Sequence, residues 1–308
     1  AAAVSSVTFA ELPPTGAEGF HILPSPAGTV ARTLVSPDLA VCADCRREIL
    51  SQADRRHGYA FTNCTNCGPR YSIIRGVPYD RPLTSMAPFQ MCPACQREYD
   101  DPADRRFHAQ PNACADCGPA YRLLVDGVEQ AGDPLAQARE MIAAGGIVAV
   151  KGIGGYHLAC DARRDAAVRR LRERKRREAK ALAVMAGSME RVRSLCAVSD
   201  EEARWLTSPA APIVLLRRRT AAAAAVAQSV APGNAYLGVL LPYAPVHLLL
   251  LDADDLWVMT SANRSGEPIV YEDAAAQEAL AGIADAILVH NREIVHRVDD
   301  SVLRMTAG

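Results

Sequence analysis

Eight of the ten cysteines fall into four Cys-x2-Cys pairs: Cys42/Cys45, Cys64/Cys67, Cys92/Cys95 and Cys114/Cys117. Eighteen residues separate the first pair from the second, and eighteen separate the third from the fourth. Two such knuckles can wrap one ion tetrahedrally with sulfur, and this spacing reads as zinc rather than as a disulfide framework. The pattern therefore predicts two zinc ions. One is held by Cys42, Cys45, Cys64 and Cys67, the other by Cys92, Cys95, Cys114 and Cys117. Four thiolates leave no open position for a substrate, so both sites are expected to be structural. Zinc thiolates belong with a reducing interior, which places the chain in the cytoplasm.

The repeat extends beyond the cysteines. A shift of fifty residues maps Ala53-Asp54-Arg55-Arg56 onto Ala103-Asp104-Arg105-Arg106, and Cys67-Gly68-Pro69-Arg70-Tyr71 onto Cys117-Gly118-Pro119-Ala120-Tyr121. A module this short buries too little apolar surface to fold alone, so metal binding must contribute, at roughly 10–16 kcal/mol for structural zinc. His57 and His108 lie near the cysteines but break the repeat. Fifty residues from His57 stands Phe107, and His108 matches Gly58. Neither is expected to bind metal. Cys160 and Cys196 have no Cys-x2-Cys partner and are expected to be buried thiols.

Composition narrows the partners. The 308 residues carry a formal net charge of −1, so there is no overall pull toward nucleic acid or membrane. No apolar run approaches the roughly 18–20 residues of a membrane span, and Ala1–Ala10 does not read as a signal peptide. The chain begins with Ala rather than Met, as a processed or excised chain would.

A second domain is expected from about residue 125. Asp133-Pro134 forms a helix start and Gly145-Gly146 a stop, with Leu135, Ala138, Met141 and Ile142 at helical spacing. Ile147–Val150 reads as a buried strand running into Lys151-Gly152-Ile153-Gly154-Gly155-Tyr156. That segment fits neither the Walker pattern nor GxGxxG, and a tight turn is the favoured reading, with Lys151 placed at a strand end to meet an anion. Further strands are expected at Leu182–Met185, Ile213–Leu216, Leu256–Thr260 and Ala286–Val289, and helices at Asp165–Arg177, Ser199–Leu206 and Glu272–Ala281. The fold class is thus α/β: a small duplicated zinc domain followed by a mixed α/β domain. Between Arg163 and Lys180 stand ten Lys or Arg against three Asp or Glu. Composition leaves three readings open: a solvated helix face, a nucleic-acid face, or a polyphosphate site at Lys175, Arg177 and Lys180.

Taken together, these segments resemble the HypF family of hydrogenase maturation factors. The two modules, with their Asp-Arg-Arg and Cys-Gly-Pro-x-Tyr elements, are similar to its paired zinc fingers. Val150–Asp161, Lys175-x-Arg177 with Ala183-Val184-Met185, and Pro212–Arg217 are similar to the YrdC-like domain that follows them there. So are Leu241–His247, Met259-Thr260-Ser261-Ala262-Asn263 and Arg297–Val302. The resemblance runs from about Ser36 to the C-terminus. It departs at Ala181, where the family usually has proline, and at Ala262, where glycine is more usual.

The resemblance implies three segments: a tail or linker over 1–35, two four-cysteine fingers over 36–124, and a YrdC-like nucleotide-binding domain over 125–308. The tail would hold the end of an acylphosphatase-like domain, with a last strand around Gly19–Leu23. A flanking carbamoyl-transfer domain would follow, so the chain resembles a central fragment. By the same resemblance, carbamate derived from carbamoyl phosphate attacks the α-phosphate of ATP with Mg²⁺, forming a carbamoyl adenylate. The carbamoyl group then passes to the C-terminal cysteine of HypE and becomes a cyanide ligand of [NiFe]-hydrogenase. Lys175 and Arg177 would hold the triphosphate with Lys180 nearby. Thr260, Ser261 and Asn263 would bind phosphate or ribose, Ser301 would add a hydroxyl, and Lys151 and Tyr156 would line the carbamoyl side. His247 stays unassigned. The fragment is expected to bind ATP without completing the transfer. The rival readings are an RNA-binding module and a tRNA threonylcarbamoyl-adenylate enzyme; the paired fingers favour the hydrogenase route.

Overall fold

The computed structural model describes residues 35–306 apart from 179 and 265, with positions 7–11, 13, 14, 16 and 18, and without the side chains of 221–223. The strand expected around Gly19–Leu23 lies outside the described residues. No helix among them is long and apolar enough to cross a membrane.

Each zinc module opens with one short helix. Helix α1, Ala43–Leu50, follows Cys42, and α2, Pro93–Asp100, follows Cys92 with proline in its first turn. In the first knuckle of each module, the first cysteine sits at the N-cap and the second is buried inside the helix. Both thiols therefore lie at the helix end that favours negative charge.

After the second module the chain builds one mixed sheet. Its strands are β1 Tyr121–Val125, β2 Val128–Glu129, β3 Val148–Lys151, β4 Tyr156–Asp161, β5 Val184–Ala186 and β6 Cys196–Ala197. They continue with β7 Ile213–Arg218, β8 Tyr236–Leu240, β9 Leu256–Ser261, β10 Ala286–His290 and β11 Val302–Leu303. The order across the sheet is β11-β7-β8-β5-β9-β4-β3-β10-β1-β2, with β6 alongside β7. Tyr121, the last residue of the repeated Cys-Gly-Pro-x-Tyr element, is also the first residue of the sheet.

Six helices cover the two faces: α3 Pro134–Ala143, α4 Asp165–Lys175, α5 Met189–Leu195, α6 Asp200–Leu206, α7 Pro245–Leu250 and α8 Asp273–Leu280. Val168 and Leu171 of α4, Val192 of α5, Leu206 of α6 and Leu280 of α8 share one apolar core with Tyr156, Leu158 and Cys160 of β4. Ala138 and Ile142 of α3 and Leu250 of α7 share the other with Val148, Val150 and Met259. Alternate residues of a strand serve opposite faces, which is the period-two geometry of a sheet buried on both sides. The expected helices and strands are present with shifts at their ends. Helix α4 stops at Lys175 rather than Arg177 because Arg176 turns left-handed (φ 53°).

The glycine-rich segment is a turn between two antiparallel strands: Lys151 pairs with Tyr156, and Gly152 N–H donates to Gly155 O at 2.8 Å. Its glycines allow close approach. A Cβ on Gly154 would lie 2.6 Å from Val298 Cβ and 2.9 Å from Val298 O, and the two backbones are tied by Val298 N–H donating to Gly154 O. Gly154→Ala should therefore cost about 1–3 kcal/mol through overpacking and lower the urea midpoint without changing the m-value. An unchanged midpoint would contradict the close approach.

Candidate functional site

The eight predicted ligands form two tetrads, and within each all the sulfurs lie within 4.8 Å of one another. In the first, Cys42–Cys64, Cys64–Cys67 and Cys45–Cys67 are 3.7, 3.8 and 3.5 Å apart. In the second, Cys92–Cys114, Cys114–Cys117 and Cys95–Cys117 are 3.7, 3.8 and 3.7 Å apart. A tetrahedron with zinc–sulfur bonds of 2.3 Å has an edge of about 3.8 Å, whereas a disulfide needs about 2.05 Å. The cysteines are free thiols arranged to hold a tetrahedral ion. Neither His57 nor His108 belongs to either tetrad. His108 takes the left-handed turn position that Gly58 takes in the first module, and its ring packs against Tyr99 at 4.9 Å.

The first module also touches the α/β domain. Phe61 stacks on Tyr121 and meets His290 edge-on, each at 5.1 Å between centroids, while the Arg292 guanidinium lies 4.9 Å over its ring. Leu39 bridges to Gly68 beside the first tetrad, Ala40 N–H donates to Pro209 O, and Val41 N–H donates to Tyr243 O.

In the α/β domain the predicted nucleotide residues divide into three places. Lys175 ends α4 with no exposed surface. Its ammonium donates to Ser261 O at 2.5 Å, to Asn263 O at 2.7 Å and to Asn263 Oδ1. Ser261 Oγ donates to Asn263 Oδ1 at 2.9 Å. Burial pushes the Lys175 pKa down to about 7, with the charges of Arg177 and Lys180 adding to the shift. Arg177 donates to Ala181 O at 2.7 Å, Lys180 is exposed on the same loop, and Thr260 is buried on β9 opposite Leu158. Lys175, Ser261 and Asn263 are thus brought together, with Arg177 and Lys180 beside them.

Lys151 and Tyr156 form a separate, closed cluster. The Lys151 ammonium donates to His290 O and Arg292 O, each at 3.0 Å, and lies 2.5 Å from Asp273 Oδ1. The Tyr156 hydroxyl donates to the same carboxylate oxygen at 2.7 Å. Burial lowers the Lys151 pKa and Asp273 works against that shift. The Lys151 ammonium is thus compensated by a carboxylate as well as by two carbonyls, whereas the Lys175 ammonium meets only neutral oxygens.

Ser301 is exposed and lines a third feature, a cavity of about 540 Å³. Its wall includes Leu39 and Ala40 from the zinc side, Trp205, Tyr243 and the His157–Asp300 pair, and among the described residues no lysine or arginine. His157 Nε2 is 2.9 Å from Asp300 Oδ2. Burial works against the Asp300 carboxylate, yet His157 and the Tyr243 hydroxyl hold it below the usual carboxylate range. His157 pairs directly with Ser261 across β4 and β9, so the cavity adjoins the Lys175 cluster. His247 is a core imidazole packed edge-on to Tyr243 at 4.6 Å, and burial pushes it down to about 3. Cys160 and Cys196 are fully buried, as expected. Sequence reasoning singled out neither His157, Asp300 nor Asp273 for a role; only the adjacency of His157 to Tyr156 and of Asp300 to Ser301 pointed toward them.

Part of the basic stretch is paired internally. Arg163 and Arg164 pair with Asp161, Arg169 with Asp165, and Arg174 with Asp285, while Arg172 donates to Ser229 O and Val230 O. These partners hold several of the helix arginines against the protein's own surface.

Comparison with known proteins agrees with this architecture. The Sua5/YciO/YrdC family, described as "Telomere recombination", matches residues 140–308, and the "HypF finger" matches 41–74 and 91–124. The chain belongs to the Sua5/YciO/YrdC family. Its paired fingers and its relatives mark it as a HypF-type member. It is 52% identical over 289 residues to the carbamoyltransferase HypF of Rhodobacter capsulatus, covering 94% of this chain and 38% of that protein. It is similar to a full-length HypF solved in a phosphate- and nucleotide-bound form (TM-score 0.84, 50% identity, 89% of this chain and 36% of that one). A second similar structure is the T. kodakarensis HypF (TM-score 0.86, 45% identity, 91% and 38%). The chain therefore spans less than two fifths of these relatives' length.

Cys45→Ser should lower the zinc content measured by elemental analysis below two ions per chain, with the first tetrad empty. Retention of two would contradict the first tetrad.

Proposed function

We propose that this chain is the zinc-stabilised, carbamoyl-adenylate-forming part of a HypF-type carbamoyltransferase acting in hydrogenase maturation. The observation that carries the reading is the Lys175–Ser261–Asn263 cluster, where a buried ammonium is held by neutral oxygens beside Arg177 and Lys180. A triphosphate would replace those neutral acceptors with charged ones, giving shorter and stronger bonds. The adjoining cavity has no cationic wall, so it suits the nucleoside, with Trp205 as an aromatic face and Ser301 as a hydroxyl partner.

In this reading a carbamate oxygen bonds to the α-phosphorus, the bond to the bridging oxygen breaks, and pyrophosphate leaves with that electron pair. Such a displacement is served by positioning and charge stabilisation rather than by a protein nucleophile. Lys175, Arg177 and Lys180 would hold the phosphates, and Ser261 and Asn263 would orient them. Mg²⁺ would be held largely by the phosphate oxygens themselves. Lys151 and Tyr156 would support this site through Asp273 rather than touch the carbamoyl group. Carbamoyl phosphate as substrate, HypE as acceptor and a cytoplasmic location belong to the same proposal. Acylphosphatase-like and carbamoyl-transfer domains of a longer protein would complete the sequence of reactions. The ion pairs of Arg169 and Arg174 on α4 count against the RNA-binding alternative.

Calorimetry with ATP on the zinc-loaded chain tests the assignment. Lys175→Ala should weaken binding about tenfold to a hundredfold, corresponding to charge-assisted bonds worth about 1.5–3 kcal/mol. Unchanged affinity would remove Lys175 from the site. The same titration reports protons. Free Lys175 has a pKa of about 7, and a bound phosphate must raise it. At pH 8 binding should therefore take up to about one proton, and at pH 5.5, where Lys175 is already charged, that uptake should vanish. Proton release at pH 8 would contradict the assignment.

A further inference from the structure

The repeated Asp-Arg-Arg elements do not serve their own modules. Arg55, in the first module, has Nη2 3.2 Å from Cys95 Sγ and 3.8 Å from Cys92 Sγ, both in the second. Its Nη1 donates to Glu98 at 2.9 Å. Arg105, in the second module, has Nη2 3.3 Å from Cys45 Sγ and Nη1 3.7 Å from Cys42 Sγ, and its Nε donates to Glu48 at 3.2 Å. The neighbouring arginines follow the same exchange. Arg56 bonds Glu98 and, through Nε, Ala113 O at 3.1 Å; Arg106 bonds Glu48 and, through Nε, Asn63 O at 3.1 Å.

Each partner stands fifty positions from its counterpart: Cys45 and Cys95, Cys42 and Cys92, Glu48 and Glu98, Asn63 and Ala113. The exchange is therefore reciprocal, and one chance contact would not reproduce itself in register. The aspartates shape the turns that make it possible, since Asp54 Oδ1 accepts from Arg56 N–H and Asp104 Oδ1 from Arg106 N–H.

We propose that each zinc site is completed by the arginine pair of the opposite module, so that the two ions are loaded and retained as one unit. Four thiolates around a divalent ion carry a net charge of −2, and within so small a module no other cation reaches them at these distances among the described contacts. Guanidinium N–H groups directed at the sulfurs compensate that charge and fix the ligand positions. Groups that bond to metal ligands in this way typically alter metal affinity by about 10–100-fold.

Chelator challenge of the zinc-loaded 308-residue chain, followed by alkylation and peptide mass mapping, reads each tetrad separately. In the unsubstituted chain all eight cysteines should become reactive together. Arg55→Ala should expose Cys92, Cys95, Cys114 and Cys117 at least about tenfold faster, ahead of the first tetrad, and Arg105→Ala should show the reverse order. Arg55→Lys, which keeps the charge, should recover part of the protection. If a variant already lacks an ion when purified, the alkylation map of the untreated protein shows which tetrad lost it. Loosening of the substituted residue's own module, or release rates that do not change, would overturn the proposal.

Discussion

A tetrathiolate zinc site concentrates two negative charges in a module too small to bury them under its own apolar surface. Residues 42–117 are arranged around that constraint, and the α/β domain inherits the result. The chain leading into the first knuckle is pinned on one side by Leu39 pairing with Gly68, and on the other by Ala40 and Val41 bonding Pro209 and Tyr243. That pinned segment is one wall of the cavity that holds Ser301. Phe61, in the same module, stacks on Tyr121, whose hydroxyl donates to the Lys151 carbonyl at 2.7 Å. The metal sites are remote from any reacting atom in this account, yet they set one side of the site.

Two buried lysines of the α/β domain differ in how their charge is compensated. Lys151 is neutralised by Asp273 and two carbonyls, so it has little to gain from a ligand. Lys175 is held by carbonyl and amide oxygens alone, with Glu267 acting only at longer range. Burying an ammonium against neutral dipoles leaves it under-compensated. In the proposed reading, the difference in partners, rather than in exposure, distinguishes a lysine ready for an anion from one that closes the fold.

How much of this was legible in the sequence depended on the range of each interaction. Zinc ligands declare themselves by local spacing, and α3 by its Asp-Pro start and Gly-Gly stop. Strand β4 was hidden because all six of its residues are buried, which removes the alternation that marks a strand with one wet face. The repeat displayed the Asp-Arg-Arg elements without showing that their arginines cross between modules. Lys151 and Lys175 carried similar signals as basic residues at element ends; only their partners, more than eighty positions away, tell them apart. The His157–Asp300 pair, 143 positions apart, had no local signature.

The central claim is that nucleotide phosphates bind where Lys175 meets the turn after β9, with the nucleoside in the adjoining cavity. A crystal structure of the zinc-loaded chain with a non-hydrolysable ATP analogue tests it most directly. The account predicts the Lys175 ammonium within hydrogen-bond distance of phosphate oxygens, and the nucleoside between Trp205 and Ser301. A nucleotide seated beside Lys151, or bound elsewhere while Lys175 keeps all its bonds to Ser261 and Asn263, would contradict it.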